Sequence, residues 1–285
     1  MSSLVNGNID LSQVNIIFHA DDIGMNQSSI TAFSQLCKNN KWLSGSIMAP
    51  CPWFSSAIKL QQQLPQADLG LHLTLTSEWD DYRWGPVSQT KTSDGLVDES
   101  GVYFHKKTAQ VCQQASVDAV EKELTAQIEL AKRMGFEPTH LDGHMFASHQ
   151  PKFLPSLLQL SLQYQIPAAV SLTHLNALGD NQAQYWIEKL KSAGAPVFNQ
   201  IGRIHLTAGN HNKAEQIKDF FSQLSPGLHD IYFHPAKPCS ALNAMTSQAN
   251  DRIDEFELLL NFDLAEMAQA QDINVCTFKD LQFFT

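Results

Sequence analysis

The chain has 285 residues, of which 43% are hydrophobic and 17% are charged, and its formal net charge is -10. This composition is typical of a globular protein with enough apolar material for a sizeable core, and it argues against a disordered chain. Because the acidic chain has no run of lysine and arginine, we do not expect nucleic acid as a partner.

The cysteines and the N-terminus bear on the cellular compartment. The five cysteines are widely spaced, with no C-x-x-C pair, which predicts reduced and mostly buried thiols. The first residues lack the basic and apolar regions of a secretory signal. No stretch approaches the ~20 apolar residues of a membrane span. We therefore expect a cytoplasmic protein, and the oligomeric state stays open, with a homodimer among the alternatives.

The first half of the chain alternates strands with helices. Residues 14–18 form an apolar, β-prone run followed by polar residues, which predicts a buried strand that ends at the mouth of a site. A helix over 28–36, a strand over 43–49 and a helix from Pro52 to residue 64 follow. Strand 68–76 alternates leucines with polar residues, so His72 points away from the leucine face.

A long segment then interrupts the alternation. Residues 77–116 are rich in aromatic and polar residues, and loops of this length tend to be functional lids or binding loops. A helix over 117–134 follows, on which we expect Glu121, Glu123 and Glu129 to be exposed. A strand end at 139–144, a helix at 153–164 and a strand at 167–172 follow. The alternation continues with a helix at 186–190, a strand at 204–206, a helix at 217–224 and a strand at 231–233, and helix 255–270 and strand 273–276 are the last predicted elements.

About seven strand and helix pairs occur without a break in composition. This pattern favours an α/β fold, a single deformed, TIM-like β/α barrel over residues 1–285, with the segment 77–116 as a long inserted loop. The alternative is a doubly wound open sheet. The first strand is not followed by the G-x-G-x-x-G turn of a dinucleotide-binding sheet.

Polar residues cluster where the predicted strands end, which is where barrel enzymes place their catalytic groups. Asp21 and Asp22 follow the first strand, His72 lies on another, and His144 follows a third. Two imidazoles and a carboxylate suit one divalent metal ion, zinc before magnesium. On this interpretation Asp22, His72 and His144 are ligands and Asp21 is a base. In the structural alternative, each histidine is an ordinary strand-end residue and Asp21 or Asp22 caps a helix.

Four short motifs occur in a fixed order along nearly the whole chain: H-A-D-D-I-G at 19–24, G-L-H-L-T-L at 70–75, T-H-L-D-G-H at 139–144 and F-H-P-A at 233–236. With these motifs the chain resembles the YdjC-like carbohydrate deacetylases, a group that includes chitooligosaccharide deacetylase and hopanoid-biosynthesis deacetylases. The resemblance implies a deformed β/α barrel that removes acetyl groups from an N-acetylated sugar or oligosaccharide.

The resemblance also implies roles for individual residues. Asp22, His72 and His144 match the family's metal ligands, and Asp21 matches its presumed base. Relatives often continue the third motif as a histidine-rich run, whereas residues 145–148 here contain no histidine. We therefore interpret His149 as structural or rim-forming, and we expect a subfamily with a different substrate.

The remaining assignments concern the acid and the sugar site. His234 is the candidate proton donor to the departing amine, Asp142 would orient a histidine, and His140 would tie down a strand end. The loop aromatics Trp79, Tyr82 and Trp84 either stack on sugar rings or anchor the loop. Arg83 and Arg252 either bind an anionic group of the substrate or pair with acidic side chains.

Two other classes of function remain open from the sequence. A metal-dependent sugar isomerase or phosphoesterase on a related barrel usually needs more carboxylate ligands or two metal ions. A non-catalytic carbohydrate-binding protein would be expected to have lost the base or a ligand, and Asp21, Asp22, His72 and His144 are all present.

Overall fold

The computed structural model describes residues 9–39, 44–206 and 212–281. The described residues contain seven strands that pair in parallel, as the sequence predicts. The strands are β1 (Val14–Ile23), β2 (Ser44–Ile47), β3 (Asp68–Leu73), β4 (Leu141–Gly143), β5 (Gln200–Gly202), β6 (Gly227–Phe233) and β7 (Asn274–Val275).

Helices follow most of the strands and cover the outside of the sheet. Those in the described residues are α1 (Gln27–Lys38), α2 (Phe54–Ala57), α3 (Leu60–Gln63), α4 (Thr108–Gln114), α5 (Val117–Arg133), α6 (Leu154–Tyr164), α7 (Leu172–Asn176), α8 (Asp180–Ser192), α9 (Lys213–Ser222), α10 (Ser240–Met245), α11 (Ala249–Asn261) and α12 (Leu264–Gln269). Among the described residues, no helix is both long and apolar enough to cross a lipid bilayer.

The sheet is organised around β1, and its strand order is β4-β3-β2-β1-β6-β5. Strand β6 pairs with β1 from Val14 to Ala20. On the other edge of β1, β7 pairs with its first half and β2 with its second half, so β1 has neighbours along its whole length. This arrangement brings the ends of β1, β3, β4 and β6 to one rim.

The segment predicted as a strand at 167–172 connects the two edges of the sheet. It makes isolated parallel bridges from Ala168 to Leu141 of β4 and from Ser171 to Phe198, just before β5, without forming a strand. The deformed β/α barrel is therefore confirmed, in the form of a curled sheet of parallel strands. That residues 1–285 form a single domain stays a prediction.

The two faces of the sheet differ in polarity, as the alternation in the sequence predicts. Leu69, Leu71 and Leu73 of β3 pack in the main hydrophobic core with the outer helices. His72 lies on the opposite, inner face, and this inner face carries the polar groups of the barrel. At the bottom of the barrel, a small apolar cluster includes Ile17 and Phe278.

Several predicted elements differ from the structure. The expected strand at 204–206 is wrong, because β5 ends at Gly202. Helix 52–64 is two short helices, and helix 255–270 is interrupted at Phe262 and Asp263, where the Asp263 carboxylate caps α12. Leu43, the first residue of the second predicted strand, lies outside the described residues.

The exposed position predicted for Glu123 is also wrong. Its side chain is fully buried, and its carboxylate accepts hydrogen bonds from the backbone N–H groups of Val87 and Ser88 at 2.9 and 2.8 Å. The side chain of Gln127 donates a further bond to it. A carboxylate on α5 therefore anchors the long loop 77–116, which the sequence pattern of α5 does not reveal.

Candidate metal centre

Asp22, the penultimate residue of β1, has an unusual backbone conformation. Its φ is 60°, in the left-handed region that Asp tolerates better than most residues. Neither Asp21 nor Asp22 caps α1, because the Asn26 side chain accepts the hydrogen bond from the Ser29 N–H. The helix-cap interpretation of the Asp pair is therefore wrong.

Asp22, His72 and His144 come together from the ends of three strands. Asp22 Oδ1 lies 2.9 Å from His144 Nδ1 and 3.4 Å from His72 Nε2. All three side chains are buried, and their ligand atoms lie within 4.8 Å of one another. The structure thus brings the three predicted ligands together around one point.

Each of the two histidines contacts a further carboxylate through the ring nitrogen that faces away from Asp22. Asp142 Oδ2 is 2.8 Å from His72 Nδ1, and Glu78 Oε2 is 3.0 Å from His144 Nε2. A histidine that donates its outer N–H to a carboxylate presents the lone pair of its inner nitrogen, which is the usual arrangement of metal-ligating histidines. Glu78 was missed by the sequence analysis, because it lies in an irregular loop outside the four motifs.

Arg252 of α11 holds the other oxygen of Asp22. Its Nη2 donates to Asp22 Oδ2 at 2.7 Å, and its guanidinium lies 5.6 Å from the ring centre of Trp79. Of the two roles considered for Arg252, pairing with a carboxylate is the one seen, at a buried position. The remaining oxygen, Asp22 Oδ1, is buried and faces only the inner nitrogens of His144 and His72, at 2.9 and 3.4 Å. A buried carboxylate oxygen between two imidazole nitrogens fits a divalent cation.

The electrostatics of the cluster agree with this fit. Burial opposes ionisation of Asp22, but His144 and Arg252 outweigh burial and hold the pKa of its carboxyl well below the ordinary value. Burial likewise opposes protonation of His144, but Glu78 and Asp22 raise its pKa to about 9. A cation at this point would displace the proton from His144, so its binding would release protons.

Asp21 lies beside the three side chains and also lines the cavity above them. Its Oδ1 is 3.3 Å from His19 Nδ1, and its Oδ2 is 3.9 Å from His234 Nε2. Burial raises the pKa of Asp21 to about 7, against the opposing effect of His72 and His19. A carboxyl group with a pKa near neutrality is suited to accept and return a proton.

His234 lines the same cavity, next to Asp21. Its backbone N–H donates to Glu255 Oε2 at 2.5 Å, and Glu255 also pairs with Arg203. Burial lowers the pKa of His234 well below the ordinary value, so the imidazole is neutral at pH 7. The strand end is therefore attached to α11 through Glu255.

His140 and His149 lie away from the cavity. His140 is on the inner face of the barrel, one layer below the cluster, where its Nε2 is 3.0 Å from His19 Nε2. His149 is buried, and its Nε2 donates to the Ala169 carbonyl at 2.9 Å. Of the two roles expected for His149, the structure shows a buried structural contact and not a position on the rim.

The cavity above the cluster has a volume of about 580 Å³. Of the four loop residues considered for substrate binding, Trp79 lines this cavity, whereas Tyr82, Arg83 and Trp84 are not in its lining. Trp84 is buried, with its Nε1 donating to the Thr76 carbonyl, and the Tyr82 hydroxyl donates to the Met25 carbonyl. Arg83 pairs with Asp98. These three side chains anchor the loop. The other aromatic residues that line the cavity, Phe146 and Tyr232, were missed because no motif marks them as site residues.

Comparison with known proteins places these features in a family. Residues 15–270 match the family described as YdjC-like protein. A carbohydrate deacetylase from Thermoanaerobacter pseudethanolicus is 25% identical over 94% of this chain and 99% of its own length. A carbohydrate deacetylase from Listeria monocytogenes serotype 4a is 28% identical over 93% of this chain and 99% of its own.

A solved structure supports the fold. The proposed cellobiose-phosphate cleavage protein from Enterococcus faecalis V583 superposes with a TM-score of 0.77, covering 95% of this chain and 100% of its own, at 22% identity. The similarity of this fold agrees with the sequence match over residues 15–270. The chain therefore belongs to the YdjC-like protein family.

Proposed function

We propose that this protein is a carbohydrate deacetylase that hydrolyses the acetamide of an N-acetylated sugar with the help of one divalent metal ion. The observation that carries the proposal is the cluster of Asp22, His72 and His144, in which each histidine has a carboxylate behind it. The names of relatives that align over nearly the whole chain support the substrate class.

Asp22, His72 and His144 would hold the metal ion. One carboxylate and two imidazoles favour zinc over magnesium, since magnesium prefers oxygen ligands and keeps several waters. When bound, such an ion supplies Lewis acidity toward water and the acetyl carbonyl. Arg252 would keep the Asp22 carboxylate ionised and oriented, because it pairs with the oxygen that faces away from the two histidines.

Asp21 is the residue that we assign as base. It lines the cavity next to the ligands, and its carboxylate would take a proton from the attacking water as the carbon–oxygen bond forms. When the carbon–nitrogen bond breaks, the departing amine needs a proton. His234 would donate it, and because the free imidazole is neutral, it must first receive the proton from Asp21, whose Oδ2 lies 3.9 Å away.

Trp79, Phe146 and Tyr232 would form the sugar-binding surface. All three line the cavity within reach of the cluster, and aromatic rings offer flat apolar faces to the C–H groups of a sugar. Tyr82, Arg83 and Trp84 would act indirectly, by holding the loop that carries Trp79.

An acetate-release assay tests the proposal. N-acetylglucosamine, chitooligomers and lipid-linked N-acetylated sugars would be incubated with the protein before and after chelation. We expect acetate from at least one of them, loss of activity with chelator and recovery with zinc. No acetate from any substrate, or activity unaffected by complete removal of metal, would contradict the proposal.

Metal analysis tests the ligand assignment. Asp22→Ala and His144→Ala should each lose the metal ion, whereas His105→Gln should retain it, because His105 is also buried but bonds to the Gly95 carbonyl away from the cluster. Full occupancy in both ligand variants would remove Asp22 and His144 from the site.

A further inference from the structure

We infer that His19 is a positioning residue, a buried imidazolium that holds the Asp21 carboxylate in place for proton transfer. This inference rests on the proposed role of Asp21 as base. His19 lies in the inner layer of the barrel, directly below the ligand cluster.

Three carboxylates surround one nitrogen of His19. Its Nδ1 lies 3.3 Å from Asp21 Oδ1, 3.6 Å from Asp230 Oδ2 and 3.8 Å from Asp142 Oδ2. His19 is 1% exposed, so water does not screen these charges. An unprotonated nitrogen would direct its lone pair at the oxygens of these three carboxyl groups, which is unfavourable in a buried site wherever the carboxyl group is ionised.

The other nitrogen of His19, Nε2, is the first atom in a series of hydrogen bonds that ends at Asp68. Because the Asp68 carboxylate can only accept, it determines which group donates in each of these bonds. Asp68 Oδ2 accepts bonds from Ser44 Oγ at 2.8 Å and from the Phe278 N–H at 2.6 Å. Asp68 Oδ1 accepts a third bond, from the Thr139 hydroxyl. Burial raises the pKa of the Asp68 carboxyl, and the three hydrogen bonds that it accepts oppose this effect by stabilising the ionised form.

The hydrogen bonds between Asp68 and His19 then have only one possible donor-to-acceptor direction. The Thr139 hydroxyl has one proton, which it gives to Asp68, so its oxygen accepts from His140 Nδ1 at 3.0 Å. A neutral His140 consequently has a bare Nε2, and this atom accepts from His19 Nε2 at 3.0 Å. His19 therefore carries a proton on Nε2, and the carboxylates around Nδ1 require a second proton there.

Two neighbouring residues fix the position of the His140 ring within this series of hydrogen bonds. The Phe278 ring stacks on His140 with 3.6 Å between the ring centres and 14° between the planes. Gly70 makes room for the imidazole, because a Cβ at that position would lie 2.3 Å from His140 Nε2. Burial lowers the pKa of His140 well below the ordinary value, and the charge on His19 adds to this effect.

Charge balance gives the same protonation state. Burial alone would lower the pKa of His19, but Asp230, Asp21 and Asp142 outweigh burial and raise it to about 10. Asp21 Oδ1 is buried and makes no hydrogen bond within the described residues. His19 Nδ1 faces the inner oxygen of Asp21 at 3.3 Å, so removal of His19 would free this carboxylate to turn.

The protonation of His19 can be measured without substrate. Nitrogen-15 NMR of the histidine side chains in the full-length protein, metal-free and zinc-loaded, should show protons on both ring nitrogens of His19 between pH 6 and 8. His140 should carry a proton on Nδ1 alone. A neutral His19 in both forms would overturn the inference.

The positioning role is tested with His19→Gln and a matched control. We expect kcat for acetate release to fall roughly 10- to 100-fold, as for a displaced catalytic group, with KM and zinc content within about twofold of wild type. His229→Gln should keep the wild-type kcat, since His229 is an equally buried histidine that bonds to the Ser225 carbonyl. Wild-type kcat in His19→Gln would overturn the positioning role.

Two further outcomes are distinguishable. A second metal ion per chain that disappears in His19→Gln would place a metal cation at Nδ1 instead of a proton, and would overturn the inference. Absence of acetate release by the wild-type protein would contradict the proposed function, whereas the protonation of His19 would still be read from the NMR spectrum.

Discussion

Glu78 and His144 share a hydrogen bond of 3.0 Å that joins the long loop 77–116 to the candidate metal centre. His144 faces Asp22 with its Nδ1 and Glu78 with its Nε2, so the loop carboxylate determines how the imidazole is oriented. The loop therefore contributes to the site in two ways, through Trp79 in the cavity and through Glu78 behind a proposed ligand.

We predict that Glu78→Ala weakens zinc binding about 10- to 100-fold, because His144 loses the partner that orients it and increases its basicity. Competition with a chromophoric chelator would measure the affinity. Asp80→Ala is the matched control, since Asp80 lies on the same loop and pairs with Lys106 at the surface. Equal zinc affinity in Glu78→Ala and Asp80→Ala would contradict the role of Glu78.

We predict that Asp21→Asn retains the metal ion and lowers kcat about 100- to 10,000-fold, because the amide cannot accept the proton from water. Metal analysis and acetate release would be measured on the same preparation. Asp251→Asn, at an exposed acidic residue that lines the same cavity, should stay near the wild-type rate. A wild-type rate in Asp21→Asn would remove Asp21 as base.

We predict that Glu123→Ala lowers the free energy of unfolding by about 2 to 4 kcal/mol, because the backbone N–H groups of Val87 and Ser88 lose their acceptor. Urea denaturation would measure the change. Glu129→Ala, at an exposed position on the same helix, should cost about 0.5 kcal/mol or less. Similar losses in the two variants would show that Glu123 does not anchor the loop.

His149 makes stability depend on pH. Burial lowers its pKa to about 4, whereas the unfolded chain takes up a proton near pH 6.5. Its contribution is therefore fully present above pH 6.5 and is lost as the pH falls toward 4, at about 1.4 kcal/mol per pH unit.

We accordingly predict that, between pH 7 and pH 5, the metal-free wild-type protein loses about 2 kcal/mol more of its unfolding free energy than His149→Gln does. Urea denaturation at the two pH values would measure this difference. Ser192→Ala, at an exposed position that does not titrate, should follow the wild type. Parallel pH dependence in wild type and His149→Gln would contradict the assignment.

The sequence by itself determined the features that depend on local pattern. The apolar run before Asp21 predicted β1, and the alternation of leucines with polar residues predicted β3 and the inward direction of His72. Parallel strands end at a common rim, so Asp22, His72 and His144 were expected to meet before any contact was known. Each of these inferences uses residues within one strand or at its end.

Only the tertiary structure decided which distant residues complete the site. Glu78 is 66 residues from His144, and Arg252 is 230 residues from Asp22. No periodicity connects such positions, because their contact depends on how the barrel curls and where the loop and α11 pack. For the same reason Glu123 looked exposed and Trp84 looked available for sugar, whereas burial against neighbouring elements assigns both to the support of the loop.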